Sequence, residues 1–302
     1  MAYSFPITSS VLPNGRTAYY AIRLNSSENQ FIIGYRTKYQ DNFGLFNIDV
    51  KTGLTYQPDD FRTAHGFWAD FIFPTAYVES KGSYFCLNTY DRAQFTFGFM
   101  QYAAHVPNGD FVRFLRALLQ LPLATEYFPR LRLQQGRIFY ENSNQTFNQL
   151  ETDASTQLLM NYLNPTLLDI ENQETISSAR MVHWAQNDPK NPTVQVSLAI
   201  ELFQSNLPRY HHRLGLADAP VSVCAAVCDI LHQGRGTFDR IAAALNTGGN
   251  WDHAYANLLL IGMVNYAERI NGLKRKIGEA INTGVFNKTY DSGTNTFVQT
   301  AV

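Results

Sequence analysis

The hydrophobic period of this chain changes near residue 58, and that change constrains the fold more than any other feature. Up to residue 57 the apolar residues come in short β-branched and aromatic runs, TAYYAIRL, QFIIGYRT and GLFNIDV, separated by the polar clusters NSSEN and KYQDN. Runs of that kind are strands between turns. From Asp59 the apolar residues recur at helical spacing. A chain that runs strands first and helices afterwards reads as α+β, mainly α, with residues 1–57 as a β-rich segment.

Asp59 or Asp60 is placed to cap a helix that carries Phe61, Phe67, Trp68, Phe71 and Ile72. Pro74 should kink or restart it, leaving a short piece, TAYVES, that ends near Glu79. Residues 83–100 lose the helical period and suit a small hairpin. Asp110 is expected to cap the next helix, with Phe111, Phe114, Leu115, Leu118 and Leu119 on one face. Residues 131–141 read as a hairpin turning at Gln135-Gly136. A polar helical stretch from Thr152 to about Gln204 is expected to break at Pro165, Pro189 and Pro192. Three helices follow: PVSVCAAVCDIL, then TFDRIAAAL with Thr237 as its cap, then a single long helix over 252–281 ended by Gly284. The last residues, NKTYDSGTNTFVQTAV, read as a loose tail.

Composition narrows the function. Hydrophobic residues are 45% and charged residues 16%, which describes a folded globular chain. The net charge of −1 offers no basic footprint for nucleic acid. Aromatics at 14%, mostly 21 Phe and 17 Tyr, suit a broad contact groove as well as a core. No apolar run is long enough for a membrane span, and the N-terminus lacks the basic start and apolar stretch of a secretory signal. Cys224 and Cys228, four apart on an Ala-rich helix, should point into the core as free thiols, as expected of a chain made in a reducing cytoplasm.

No metal, nucleotide or serine-hydrolase motif is present, so neither a metal nor a cofactor is expected. The seven His are scattered. The Gly-Arg-Gly of residues 234–236 could hold an anion at a helix start, but it is short and nonspecific, and a plain turn is the better reading. The carboxylates of YVESKGSYFCLNTYDRAQFTFGFMQ (77–101) offer more. Glu79 closes an apolar run, where burial favours a protonated acid, and Asp91 follows 12 positions later on a polar turn. Cleaving a glycosidic bond needs such an acid and a second group that activates water or stabilises the oxocarbenium ion.

The order Glu79-Ser80, then Asp91-Arg92, then Phe97-Gly98-Phe99-Met100-Gln101 resembles the lysozyme-like superfamily, most closely goose-type lysozymes and soluble lytic transglycosylases. Those carry a catalytic Glu-Ser at a helix end, a hairpin, and a Gly-Leu-Met-Gln turn into the next helix. A fainter echo, Gly234-x-Gly236 in ILHQGRG, matches a loop that closes the cleft in those families. The resemblance implies a lysozyme-like helical core with a small β-hairpin beside the active site and extra N-terminal strands. The resemblance covers about half the chain, with 79–101 its specific block, and implies a catalytic domain over 58–302 with an insertion at about 122–200, because the two matching blocks lie about 130 residues apart. It implies Glu79 as general acid, Asp91 as the group that positions water, and Ser80, Gln101, Tyr102 and His232 along the substrate groove. His232 has an alternative as a cation at the C-terminal end of its helix.

Departures from the family pattern matter. Ala103 stands where goose-type enzymes have a further acid, and Leu231 and His232 stand where Tyr and Asn are expected. The activity implied is a muramidase that cleaves the β-1,4 bond between N-acetylmuramic acid and N-acetylglucosamine. Its alternatives are a lytic transglycosylase, a chitosanase- or chitinase-type glycosidase, and a non-catalytic glycan- or protein-binding module. The expected partners are peptidoglycan strands, and an immunity or delivery protein. The enzyme would be made in the cytoplasm and act in the periplasm or outside the cell by a separate delivery route.

Overall fold

The computed structural model describes residues 2–50 and 53–300. Strands β1 (Ile7–Val11), β2 (Thr17–Ala21), β3 (Phe31–Tyr39) and β4 (Asn42–Phe46) lead into a 3-10 turn at Pro58–Asp60. Helices α1 (Arg62–His65) and α2 (Trp68–Ser80) follow. Short strands β5 (Leu87–Asn88), β6 (Thr96–Phe97) and β7 (Tyr102–Ala103) precede α3 (Asp110–Leu118) and α4 (Ala124–Tyr127). Then come β8 (Leu131–Gln134), β9 (Arg137–Glu141), β10 (Phe147–Gln149), α5 (Gln157–Leu163), α6 (Asn172–Asn187) and α7 (Lys190–Leu214). The chain closes with α8 (Val221–Gln233), α9 (Phe238–Leu245), α10 (Trp251–Leu260), α11 (Met263–Asn282) and the hairpin β11 (Lys288–Asp291), β12 (Thr296–Gln299). The class is α+β, mainly α. No helix among the described residues is long and apolar enough to cross a membrane.

The chain forms two compact units. One comprises the residues up to Thr55 with Ser83–Leu198, and the other Tyr56–Gly82 with the residues from Ala199 on. In the first, β1 to β7 form one antiparallel meander in sequence order, so the N-terminal strands and the hairpin after Glu79 share a sheet. Helix α6 packs on β2 and β3. The aromatic floor of this unit is Phe95, Phe97, Phe99, Phe111 and Phe114, all buried. A second sheet, β8 to β10, turns at Gln135-Gly136 with positive φ at both positions (50° and 73°), the backbone a two-residue hairpin requires.

In the second unit α2 packs on α8 and α11, and α10 on α8 and α9. Three expectations change here. Pro74 lies inside α2 and does not break it. It forfeits one backbone bond, to the Asp70 carbonyl, in a helix buried on nearly every side (Phe71, Ile72, Pro74, Thr75 and Ala76), and that burial offsets the loss. The helix expected over 252–281 is two helices, parted at Gly262, whose φ of +80° no helix interior accepts. The C-terminal tail is a hairpin. Its Tyr290 and Phe297 are buried, and Phe297 lies 4.9 Å from Phe71 and 5.4 Å from Trp68 between ring centroids.

The smaller differences have local causes. Asp59 and Asp60 sit in the 3-10 turn started by Pro58 and cap no long helix, because Gly66 stops α1 before α2 begins. Asp110 occupies the first helical position after Gly109, where its charge meets the helix dipole. Pro192 is accommodated in the first turn of α7, where the missing N–H has no helical acceptor to lose. Thr237 does cap α9, accepting from the Arg240 N–H at 3.4 Å.

Candidate functional site

Glu79 stands on the last turn of α2. Lys81 closes that helix in the left-handed region (φ 58°), its N–H on the Tyr77 carbonyl, and the Gly82 N–H reaches back to Ala76. This Schellman-type closure turns Ser80 fully inward and leaves Glu79 at the rim, its side chain 14% exposed. Ser80 donates to the Ala76 carbonyl at 3.4 Å and belongs to the helix interior.

Two other helices converge on Glu79. Gly272 of α11 lies so close to α2 that a Cβ there would meet the Val78 side chain at 3.2 Å, and one turn earlier Arg269 reaches Glu79. Arg269 Nη2 donates to Glu79 Oε1 at 2.8 Å and to Asp229 Oδ1 at 2.7 Å. Asp229, fully buried on α8, also accepts from Arg235 Nη1 at 2.5 Å. The Gly-Arg-Gly turn makes this possible. Gly234 takes φ +75° to end α8, and Gly236 packs where a Cβ would strike Ile230 and Ile261 at 2.7 and 2.8 Å. Arg235 thereby folds back onto Asp229. His232, on the last turn of α8, brings Nε2 to 3.6 Å from Glu79 Oε1, so it is both at the helix end and beside the carboxylate.

The charges in this cluster act on one another unequally. Burial pulls Arg269 down, but two carboxylates, Glu79 and Asp229, more than offset it and its pKa stands above the ordinary arginine range. Burial is also the largest effect on Arg235, and with Asp229 the one carboxylate hydrogen-bonded to it and Arg269 nearby, its pKa is lowered. Arg235 Nη2 and Arg269 Nε are buried without partners among the described residues. Both groups that address Glu79 do so through Oε1, and its Oε2 takes no hydrogen bond from the described residues.

The remaining candidates lie in the first unit. Asp91 is half-buried in the loop between β5 and β6. Its Oδ2 accepts from Asn88 Nδ2 at 2.9 Å and its Oδ1 from the Ala93 N–H at 2.8 Å, so both oxygens shape their own loop. Gln101 has φ +53° and donates from Nε2 to the carbonyls of Gly98 (2.9 Å) and Cys86 (3.3 Å). Tyr102 is buried, with its hydroxyl on the Gln195 carbonyl at 2.7 Å. Gln195, buried on α7, organises the whole turn: its Oε1 accepts from the Phe99 N–H at 3.0 Å, and its Nε2 donates to the Tyr84 carbonyl at 2.8 Å. Gly98 is needed there, since its φ is +89° and a Cβ would lie 2.5 Å from Gln195 Oε1.

Sequence reasoning brought Glu79 and His232 to one place but missed Asp229, Arg269 and Gln195. An Asp inside the apolar run VCDIL was a signal for Asp229, because a lone acid on a buried helix face needs a cation. No group of His, Cys, Asp and Glu among the described residues is arranged to hold a metal ion. Comparison with known proteins finds no matching family, no matching curated protein and no matching solved structure.

Proposed function

We propose that the chain is a peptidoglycan hydrolase of muramidase type, on a lysozyme-like core, with Glu79 as the general acid. The observation that carries this reading is the setting of Glu79. It is a partly exposed carboxylate at the end of a buried helix, fixed through Oε1 by Arg269 with His232 alongside, and its Oε2 is left open. A group that hands a proton to a glycosidic oxygen needs such a fixed carboxyl with one free oxygen. The strands β5 and β6 after Glu79 agree with the resemblance, whereas the Gly98–Gln101 turn departs from it, joining β6 to β7 instead of entering a helix, with α3 starting only at Asp110. In this reading the resemblance assigns the attacking water to Asp91 and the substrate groove to Ser80, Gln101 and Tyr102. The substrate lies in the cell wall, so a delivery partner and an immunity partner belong to this reading.

One observation favours a second reading. The ion pair from Arg269 is made with the ionised carboxylate, which suits a module that binds glycan without cleaving it. Turbidity of purified peptidoglycan separates the two. The wild type should clear the suspension, and Glu79→Gln should slow clearing by about 10²–10⁴-fold while the protein stays folded. Binding to the insoluble wall with no clearing by the wild type would sink the hydrolase reading. Mass spectrometry of the products then decides the chemistry. Reducing muramic acid ends support Asp91 and water, whereas 1,6-anhydro ends mean a lytic transglycosylase.

A further inference from the structure

Between the β8–β9 hairpin and α6, within the first unit, lies a cavity of about 190 Å³ lined by Pro129, Arg130, Tyr140, Tyr162, Gln173 and Arg180. At ~30 Å³ per water it would hold roughly six. Two of its six lining residues are arginines and none is acidic. Neither arginine has an ion pair among the described residues, and Glu141, the acid on the same hairpin, is engaged by Arg132. Arg130 Nη1 donates to the Tyr140 hydroxyl at 2.9 Å. The Tyr140 ring lies 5.6 Å from that of Tyr162, whose phenol interacts with both guanidiniums. Gln173 Nε2 donates to the Tyr162 carbonyl at 2.6 Å and ties the cavity wall to α6.

Arg180 is the anomaly. Its Nε is buried without a partner, and its compensation is the Tyr162 phenol and the face of Phe128 at 5.6 Å, with no carboxylate. Burial holds its pKa below the usual arginine range, with only Tyr162 opposing. A cation taken this far from water normally has its carboxylate beside it, because desolvation is costly without one. Here a second cation stands across the cavity instead. An arrangement of two forked donors and two phenols around a vacant volume is complementary to an oxyanion, which guanidinium recognises through paired N–H bonds.

We propose that this cavity is a binding site for a small organic anion, whose phosphate or carboxylate head sits between Arg130 and Arg180 and whose remainder lies against Tyr140 and Tyr162. The site is independent of the chemistry assigned to Glu79. Isothermal titration of the full chain with inorganic phosphate and with malonate, at constant ionic strength set by sodium chloride, tests it. At least one probe should bind saturably with a stoichiometry of one, and the tighter of the two identifies the head group as tetrahedral or planar. Arg130→Gln, on the exposed rim, should weaken that binding by about tenfold or more, since a hydrogen bond to a charged group is lost. Arg180→Met should abolish it while the melting temperature holds or rises, because an apolar side chain replaces a half-buried cation that has no carboxylate partner. A purely structural Arg180 predicts the reverse, lower melting with no effect on binding. Absence of saturable heat from both probes, or equal affinity in the wild type and Arg130→Gln, overturns the proposal; if Arg180→Met fails to fold, Arg130→Gln decides alone.

Discussion

Asp229 is the residue on which the second unit's charge network depends. It is fully buried and accepts from Arg235 Nη1 at 2.5 Å and Arg269 Nη2 at 2.7 Å. Asp229→Asn keeps the shape and deletes one charge, leaving two guanidiniums around an amide whose NH₂ opposes one of them. At an effective dielectric of about 20, a unit-charge pair about 4 Å apart is worth about 4 kcal/mol. Two such pairs are weakened, and the retained amide oxygen recovers part of the loss, so the net cost should be about 3–5 kcal/mol. At about 2–4 °C per kcal/mol for a chain this large, the melting temperature should fall by roughly 6–20 °C in a calorimetric scan. Adding Arg235→Met to Asp229→Asn should recover part of the loss, because it removes the cation left without a carboxylate. Glu79→Gln should cost less, about 1–3 kcal/mol, since Arg269 keeps Asp229. An Asp229→Asn protein within about 1 kcal/mol of the wild type would refute the reasoning, by showing that water or relaxation screens the cluster.

Two further outcomes are expected in the first unit. Gly98→Ala should destabilise it by about 2–4 kcal/mol, because the new Cβ meets a Gln195 side chain that three hydrogen bonds hold in place, at a φ that disfavours alanine; urea unfolding reads this, and a change under about 0.5 kcal/mol counts against Gln195 as a clamp. Glu174, buried on α6, has its pKa pushed up to about 7 by desolvation, only partly countered by hydrogen bonds from Thr89 and the Leu45 N–H. From about pH 4.5 to 7 the folded protein keeps this proton and the unfolded chain has lost it, so stability should fall as pH rises through that window, by about 3 kcal/mol, and level off above it. Glu174→Gln should remove that slope, and a wild-type curve parallel to the variant's between pH 5 and 7 would show that the carboxyl is solvated.

Local chemistry made some of this fold readable. The 131–141 hairpin was legible because Gln-Gly at a two-residue turn accepts positive φ at both positions. The face of α3 was legible because Phe111, Phe114, Leu115 and Leu118 repeat at helical spacing and all four are buried. Pro74 misled, because a propensity argument ignores how completely α2 is buried. The C-terminal hairpin was hidden for the opposite reason. Its strands are four residues each and polar except for Tyr290, Phe297 and Val298, and its order depends on the Phe67–Trp68–Phe71 cluster more than 200 positions earlier in the chain.

The candidate site divides along the same line. Glu79 was visible because its neighbours in sequence carry the signal, an apolar helix before it and a polar hairpin after it. Arg269 was invisible because its tie to Glu79 spans 190 positions, and nothing in NYAERINGLKR separates it from the exposed Arg275 one and a half turns later. Only the close approach permitted by Gly272 chooses between them. That choice bears on the chemistry. With Arg269 shared between Asp229 and Glu79, any change that strengthens its hold on Asp229 loosens Glu79, and the reverse also holds. On the proposed function, the pH profile of wall clearing should therefore shift in Arg269→Lys, whose shorter side chain sets its ammonium back from the place of Nη2, the one nitrogen that serves both carboxylates. A profile identical to the wild type's would mean that Glu79 works without Arg269, and that the pair serves the fold alone.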